Sequence, residues 1–247
     1  MSNFLSGTFY GVEQGFIPGL QQAANAVRGK EGIFAGDNLF TIGRNLGFLE
    51  DKAFFEAWQK HATTPAEKAC VWRIATLAWA ARSALSRNIE GDFVECACYR
   101  GTSARIVCDT VGFEKTSRSY YLYDLFDHDP SMPHHAMPEH SKKLYGDTVA
   151  RFADQPRVIV TAGKVPDVLH QVAPKKIAFL HIDLNNADAE IGALEMLFDR
   201  VSPGAPVVFD DYGWRGYRAQ KLAEDPWLLA RGYHVLEMPT GQGLLIK

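Results

Sequence analysis

The stretch Val94-Glu95-Cys96-Ala97-Cys98-Tyr99-Arg100-Gly101-Thr102-Ser103 sits where a short apolar strand gives way to a helix. Such junctions mark the ligand edge of an open α/β sheet. Glycine lets the backbone approach a bound group there, and the helix amino terminus offers N–H donors that lack intrahelical partners. Outward from this stretch, residues 92–97, 119–124, 157–161, 177–183 and 206–210 read as strands. Residues 103–111, 141–152, 165–171, 187–200 and 214–231 read as amphipathic helices. Strand and helix alternating at this rhythm imply βαβ units, hence an α/β fold whose parallel sheet is covered on both faces. At the end of the chain, 233–238 and 244–247 flank Pro239-Thr240-Gly241-Gln242-Gly243 and read as a hairpin, which adds one antiparallel strand.

The amino-terminal third reads differently. Residues 1–50 hold Phe4, Phe9, Phe16, Phe34, Phe40 and Phe48 without a clear period, as expected of an arm, a lid or a self-association surface. Thr64-Pro65-Ala66-Glu67 combines a capping box with proline at the first helical position. Val71, Trp72, Ala75, Trp79 and Leu85 then follow at roughly helical spacing, which predicts a helix to about Arg87. The expectation is one domain over 1–247, with 1–88 as an arm and helical cap and 89–247 as a cofactor-binding core.

Composition narrows the partners. With 47% hydrophobic and 12% aromatic residues, 247 residues can bury the core of one large domain. A net charge of −3 and the lack of a Lys/Arg run argue against a nucleic-acid or membrane-surface partner and favour a small molecule. The start has neither the basic nor the apolar part of a secretory signal, so a cytoplasmic location is expected. Cys96 and Cys98 lie close together on a predicted strand and read with Cys70 and Cys108 as small buried thiols.

Acids cluster at the predicted strand ends. Asp124 closes Tyr121-Leu122-Tyr123, where a carboxylate can accept both ribose hydroxyls of an adenosine-bearing cofactor. Asp183 follows Phe179-Leu180-His181-Ile182, and the pair Asp210-Asp211 follows Val207-Val208-Phe209. Neighbouring tips of a parallel sheet lie about 5 Å apart. Three carboxylates converging there repel one another unless a cation intervenes, and an all-oxygen set favours Mg²⁺ or a similar hard ion. His128, His134, His135 and His140 crowd the long segment 127–141, which reads as a lid able to supply a base.

Several pieces together resemble the macrocin O-methyltransferase family over residues 89–247: Gly91-Asp92-Phe93-Val94-Glu95, Tyr99-Arg100-Gly101, Tyr123-Asp124-Leu125-Phe126, Ala193-Leu194-Glu195, Ser202-Pro203-Gly204 and, most specifically, Asp210-Asp211-Tyr212-Gly213. The resemblance implies a Rossmann-like class I methyltransferase with a mostly parallel seven-stranded sheet and a carboxyl-terminal antiparallel hairpin. It also implies S-adenosylmethionine as methyl donor and Mg²⁺ held by Asp183, Asp210 and Asp211. The acceptor would be a small-molecule hydroxyl such as that of a natural-product sugar. The residues placed around the cofactor are Glu95, Ala97, Tyr99, Arg100, Gly101, Ser103, Asp124, Gly163 and Asp183; Asp183 and His135 are the candidate bases. Two positions depart from the pattern: Ala97 stands where motif I has its first glycine, and Leu184-Asn185 stand where the family has Gly-Asp. The alternatives are a noncatalytic S-adenosylmethionine-binding relative, a metal-dependent hydroxylase on the same sheet, and a nicotinamide oxidoreductase, whose Gly-x-Gly-x-x-Gly the stretch 97–101 lacks.

Overall fold

A computed structural model describes residues 3–29, 31–128 and 136–247. The chain begins with β1 (Asn3–Leu5), α1 (Phe16–Asn25), β2 (Ile33–Gly36) and β3 (Leu39–Thr41), followed by α2 (Lys52–His61), α3 (Pro65–Ala69) and α4 (Val71–Ser86). The larger part runs β4 (Asp92–Cys96), α5 (Thr102–Val111), β5 (Tyr120–Asp124), α6 (Leu144–Arg151), β6 (Val158–Ala162), β7 (Ile177–Ile182), α7 (Ala187–Leu197), β8 (Pro206–Phe209), α8 (Arg218–Leu229), β9 (Leu236–Glu237) and β10 (Gly243–Ile246).

The main sheet has the order β6-β5-β4-β7-β8-β10-β9. β4 to β8 are mutually parallel, and β10 runs antiparallel to both β8 and β9. The chain order reverses between β4 and β7, so a crevice opens at their carboxyl ends. Every residue of β7 and β8 is buried, as a parallel sheet sandwiched by helices requires. His181 is the one polar residue in β7. Two predicted helices are shorter than expected: 165–171 is one 3₁₀ stretch, Asp167–His170, and 141–152 narrows to α6.

The single helix expected before residue 87 is broken at Cys70. Thr64 does cap α3: its hydroxyl accepts from Glu67 N at 3.2 Å, while Glu67 Oε2 accepts from Thr64 N at 2.9 Å. α4 then starts afresh from Cys70. Residues 1–50 also contain more structure than periodicity suggests, because β1, β2 and β3 form a second, three-stranded sheet. Its β2–β3 hairpin turns on Asp37 and Asn38, both at positive φ (51° and 57°), the geometry of a type I′ turn. The aromatic-rich segment packs against its own chain. Phe4 stacks on Phe34 at 5.1 Å, Phe34 meets Trp72 edge-on at 4.9 Å, and Phe48 lies 5.0 Å from Trp72. These rings form a satellite core with α2 and α4, so Phe4, Phe34 and Phe48 have an intramolecular explanation. Among the described residues no helix is long and apolar enough to cross a membrane.

Candidate active site

The turn after β4 is built from left-handed residues. Ala97, Tyr99 and Gly101 have φ of 69°, 49° and 70°, so the chain bends back before α5 starts at Thr102. Ala97 therefore adopts the glycine-like conformation of motif I although it carries a methyl group, at a cost of about 1–2 kcal/mol. Asp124 locks the turn from the next strand: Oδ2 accepts from Tyr99 N at 2.7 Å and Oδ1 from Phe126 N at 2.6 Å. One lone pair on each oxygen is left over, which suits a vicinal diol. Burial raises the Asp124 pKa while the two N–H donors pull it back. Gly163 lies just past β6 and donates its N–H to Asp124 O at 2.9 Å. Thr102 and Ser103 open α5, whose first-turn N–H groups have no intrahelical acceptor. Ala97, Tyr99, Gly101, Ser103, Asp124 and Gly163 thus gather at one edge, and that donor set fits an adenosine-bearing cofactor.

Two expected cofactor residues have other partners. Arg100 reaches Glu67 at 3.4 Å and Glu139 at 3.2 Å, and Glu139 also accepts from the Tyr99 hydroxyl. Glu95 lies beneath the turn, where Oε2 accepts from Tyr120 Oη at 2.9 Å and Oε1 lies 3.4 Å from His181 Nδ1. His135 and His134 fall outside the described residues. His140 does approach the turn, with its ring 5.4 Å from Tyr99.

Of the three acids expected to converge, Asp183 and Asp210 come together with His181. Asp183 N donates to Cys96 O at 3.0 Å and Asp210 N to Ile182 O at 2.9 Å, so three strand tips stand level. Ligand-capable atoms of His181, Asp183 and Asp210 all lie within 4.8 Å of one another. Burial, reinforced by Asp210 and Asp211, pushes the Asp183 carboxyl well above its ordinary range. Burial and Asp210 raise Asp211 to about 7. Asp210 goes the other way: burial opposes ionisation, but Arg73 and His181 hold it below the usual carboxylate range. His181, buried between Glu95 and Asp210, is raised to about 10 despite the desolvation penalty.

Sequence reasoning missed Arg73, Asp37, His181 and Gln242. Arg73, on α4, forks onto Asp37 through Nε (2.6 Å) and Nη2 (3.1 Å). Its Nη1 donates to Asp210 Oδ2 and to Asp211 Oδ1 (3.1 Å). Gln242 Nε2 donates to Asp210 Oδ1 at 2.9 Å. The signals available were an arginine inside the apolar helix Val71-Trp72-Arg73-Ile74 and a histidine two residues before Asp183 on one strand face. This donor set does not fit Mg²⁺ as the resemblance implies. Arg73 Nη1 already takes the bridging position between Asp210 and Asp211, Gln242 takes the other Asp210 oxygen, and both nitrogens of His181 face carboxylates (3.4 and 3.5 Å). The second departure also has a local reason. Asn185 takes φ of 56°, which asparagine tolerates, and Asn186 caps α7 by accepting from Ala189 N at 3.0 Å.

An aromatic group borders the acids. Trp214 lies under the Arg73 guanidinium at 5.0 Å, and Tyr10, from the amino-terminal arm, meets Trp214 edge-on at 6.2 Å. The charges of Asp211 and Asp183 act on the partly buried Tyr217 hydroxyl, raising its pKa after burial has done so.

Among curated proteins none matches the chain by sequence. Solved structures share the fold. The O-methyltransferase NovP is 16% identical with a TM-score of 0.64, over 78% of this chain and 87% of that one. Apo CalS11, the TDP-rhamnose 3′-O-methyltransferase of calicheamicin biosynthesis, is 14% identical with a TM-score of 0.57, over 83% and 88%. The S-adenosylhomocysteine-bound methyltransferase PaMTH1 of Podospora anserina is 13% identical with a TM-score of 0.55, over 98% of each chain. The macrocin-O-methyltransferase (TylF) family model matches residues 56–224, reaching further toward the amino terminus than the quoted motifs and stopping before the carboxyl-terminal hairpin. With the motif I stretch in a left-handed turn that Asp124 accepts from, and Asp-Asp-Tyr-Gly at a neighbouring strand tip, the chain belongs to the macrocin-O-methyltransferase family and is an S-adenosylmethionine-dependent methyltransferase.

Proposed function

We propose that this enzyme methylates a hydroxyl of a small glycoside or nucleotide sugar, with the turn 97–103, Asp124 and Gly163 holding the cofactor and Asp183 acting as base. Bound S-adenosylmethionine supplies a sulfonium methyl group. Asp124 would accept from the ribose hydroxyls of the cofactor, and the N–H groups opening α5 would be available to its methionine carboxylate. Asp183 takes the hydroxyl proton as the new O–C bond forms and the C–S bond breaks, leaving a neutral thioether. Burial and the neighbouring Asp210 and Asp211 raise its affinity for a proton. Tyr10, Trp214 and Tyr217 offer apolar faces for a sugar ring. The observation that carries this reading is the Asp183 amide on Cys96 O, which sets the carboxyl beside the cofactor turn and opposite Asp210. A TDP-sugar acceptor for the similarly folded CalS11 supports the substrate class.

The test uses S-adenosylhomocysteine calorimetry together with methyl transfer to a panel of nucleotide sugars and glycosides. Asp124→Asn should weaken S-adenosylhomocysteine by about tenfold, the loss of roughly one charge-assisted hydrogen bond. Asp183→Asn should keep S-adenosylhomocysteine affinity and lose on the order of 100-fold or more in turnover. Full turnover by Asp183→Asn would remove the base from Asp183.

A further inference from the structure

We propose that the Arg73 guanidinium is the resident cation of this site: it bridges Asp210 and Asp211 where a divalent ion would sit, and methyl transfer runs without such an ion. The inference rests on the methyl-transfer reading and deepens it by naming the electrostatic partner of the acids.

The position is built from several directions. Arg73 Nη1 donates to Asp210 Oδ2 and Asp211 Oδ1 at once, so it occupies the bridging point between two carboxylates. A hard cation bound there would need those same oxygens at about 2.1 Å. The opposite edge of the guanidinium is held by Asp37 in a two-bond fork, geometry that a lysine could not copy. Asp37 is 7% exposed and fixed at the tip of the β2–β3 hairpin, which Asn38 ties to Tyr10 through bonds of 2.6 and 3.0 Å. The Trp214 ring, 5.0 Å away, covers one face. Gln242, fully buried, donates to Asp210 Oδ1 and to Arg73 O (3.4 Å), closing the remaining side. For an ion to enter between Asp210 and Asp211, Arg73 would have to leave Asp37, Trp214 and both aspartates together. Asp37, Arg73, Asp210 and Gln242 come from the amino-terminal hairpin, α4, the end of β8 and the last hairpin, so the charge of Arg73 also fastens the amino-terminal sheet to the catalytic edge.

The test is Mn²⁺ titration followed by electron paramagnetic resonance, on the full chain, in parallel with S-adenosylhomocysteine calorimetry. Wild type and Arg73→Lys should leave Mn²⁺ free at concentrations up to about 1 mM. Arg73→Met, with its carboxylates uncompensated, should bind Mn²⁺ on the order of 100-fold more tightly than wild type. Arg73→Met with Asp210→Asn should lose that gain, and wild-type methyl transfer should be unchanged by EDTA. Stoichiometric Mn²⁺ binding by wild type that Asp210→Asn abolishes would overturn the proposal, as would Arg73→Met showing no gain while still binding S-adenosylhomocysteine. Should Arg73→Met fail to fold, the wild-type Mn²⁺ and EDTA arms decide alone. Failure of the methyl-transfer reading would appear separately, as no S-adenosylhomocysteine binding by wild type.

Discussion

Gly101→Ala isolates the physics of the cofactor turn. Gly101 sits at φ 70°, and a methyl group added there would lie 2.6 Å from Phe152 Cε2, 3.1 Å from Phe152 Cζ and 3.3 Å from Thr148 Cγ2. The left-handed backbone costs an alanine about 1–2 kcal/mol. Pressing the methyl against the buried Phe152 ring adds about 1–3 kcal/mol, because that ring has little room to retreat. Stiffening of the unfolded chain returns about 0.4–1 kcal/mol. The net expectation is a loss of about 1–4.5 kcal/mol, read as a lower urea midpoint at unchanged slope. Thr148 Oγ1 donates to Tyr99 O at 3.2 Å, so a displaced α6 also loosens the turn and weakens S-adenosylhomocysteine. A double-mutant cycle with Phe152→Leu should recover part of the overlap and show coupling of about 1 kcal/mol or more. A loss below about 0.5 kcal/mol, or no coupling to Phe152, would refute the packing argument.

Three further outcomes follow from the same structure. Ala97→Gly removes the strained methyl at φ 69° and should leave stability unchanged or raise it by up to about 1 kcal/mol, with cofactor affinity retained; thermal melts with calorimetry check both. Glu224 is fully buried and faces Glu190, and burial raises both carboxyls, Glu190 further because of Glu224. The native state therefore keeps protons that the unfolded chain releases above about pH 4.5, and stability falls as pH rises from there. Glu224→Gln cannot ionise, so its advantage over wild type should grow as pH rises above about 4.5, by up to about 1.4 kcal/mol per pH unit, and a constant difference would contradict the buried-pair reading. Trp214→Ala should raise the acceptor KM at least about tenfold and leave S-adenosylhomocysteine binding intact, since the ring borders the acids rather than the turn.

Short-range physics made much of this protein legible from its residues. Alternation of strand and helix periods gave the five parallel strands, and the glycine-containing close of the chain gave the antiparallel strand. The Thr64–Glu67 box formed both of its bonds. Asp124, Asp183 and Asp210 also reached one edge, because parallel strands joined by right-handed crossovers bring their carboxyl ends together whatever the side chains are. What surrounds those acids was decided only by tertiary packing. Arg73 and Asp210 lie 137 positions apart, and Arg73 and Asp37 lie 36 apart, so no local period links them. Residues 1–50 hid a sheet for the same reason: β1 pairs with β2 across a helix, and three-residue strands carry too few alternations to reveal a period. Charge compensation inside a protein is a contact between distant segments, and a sequence states which charges exist without stating which ones meet.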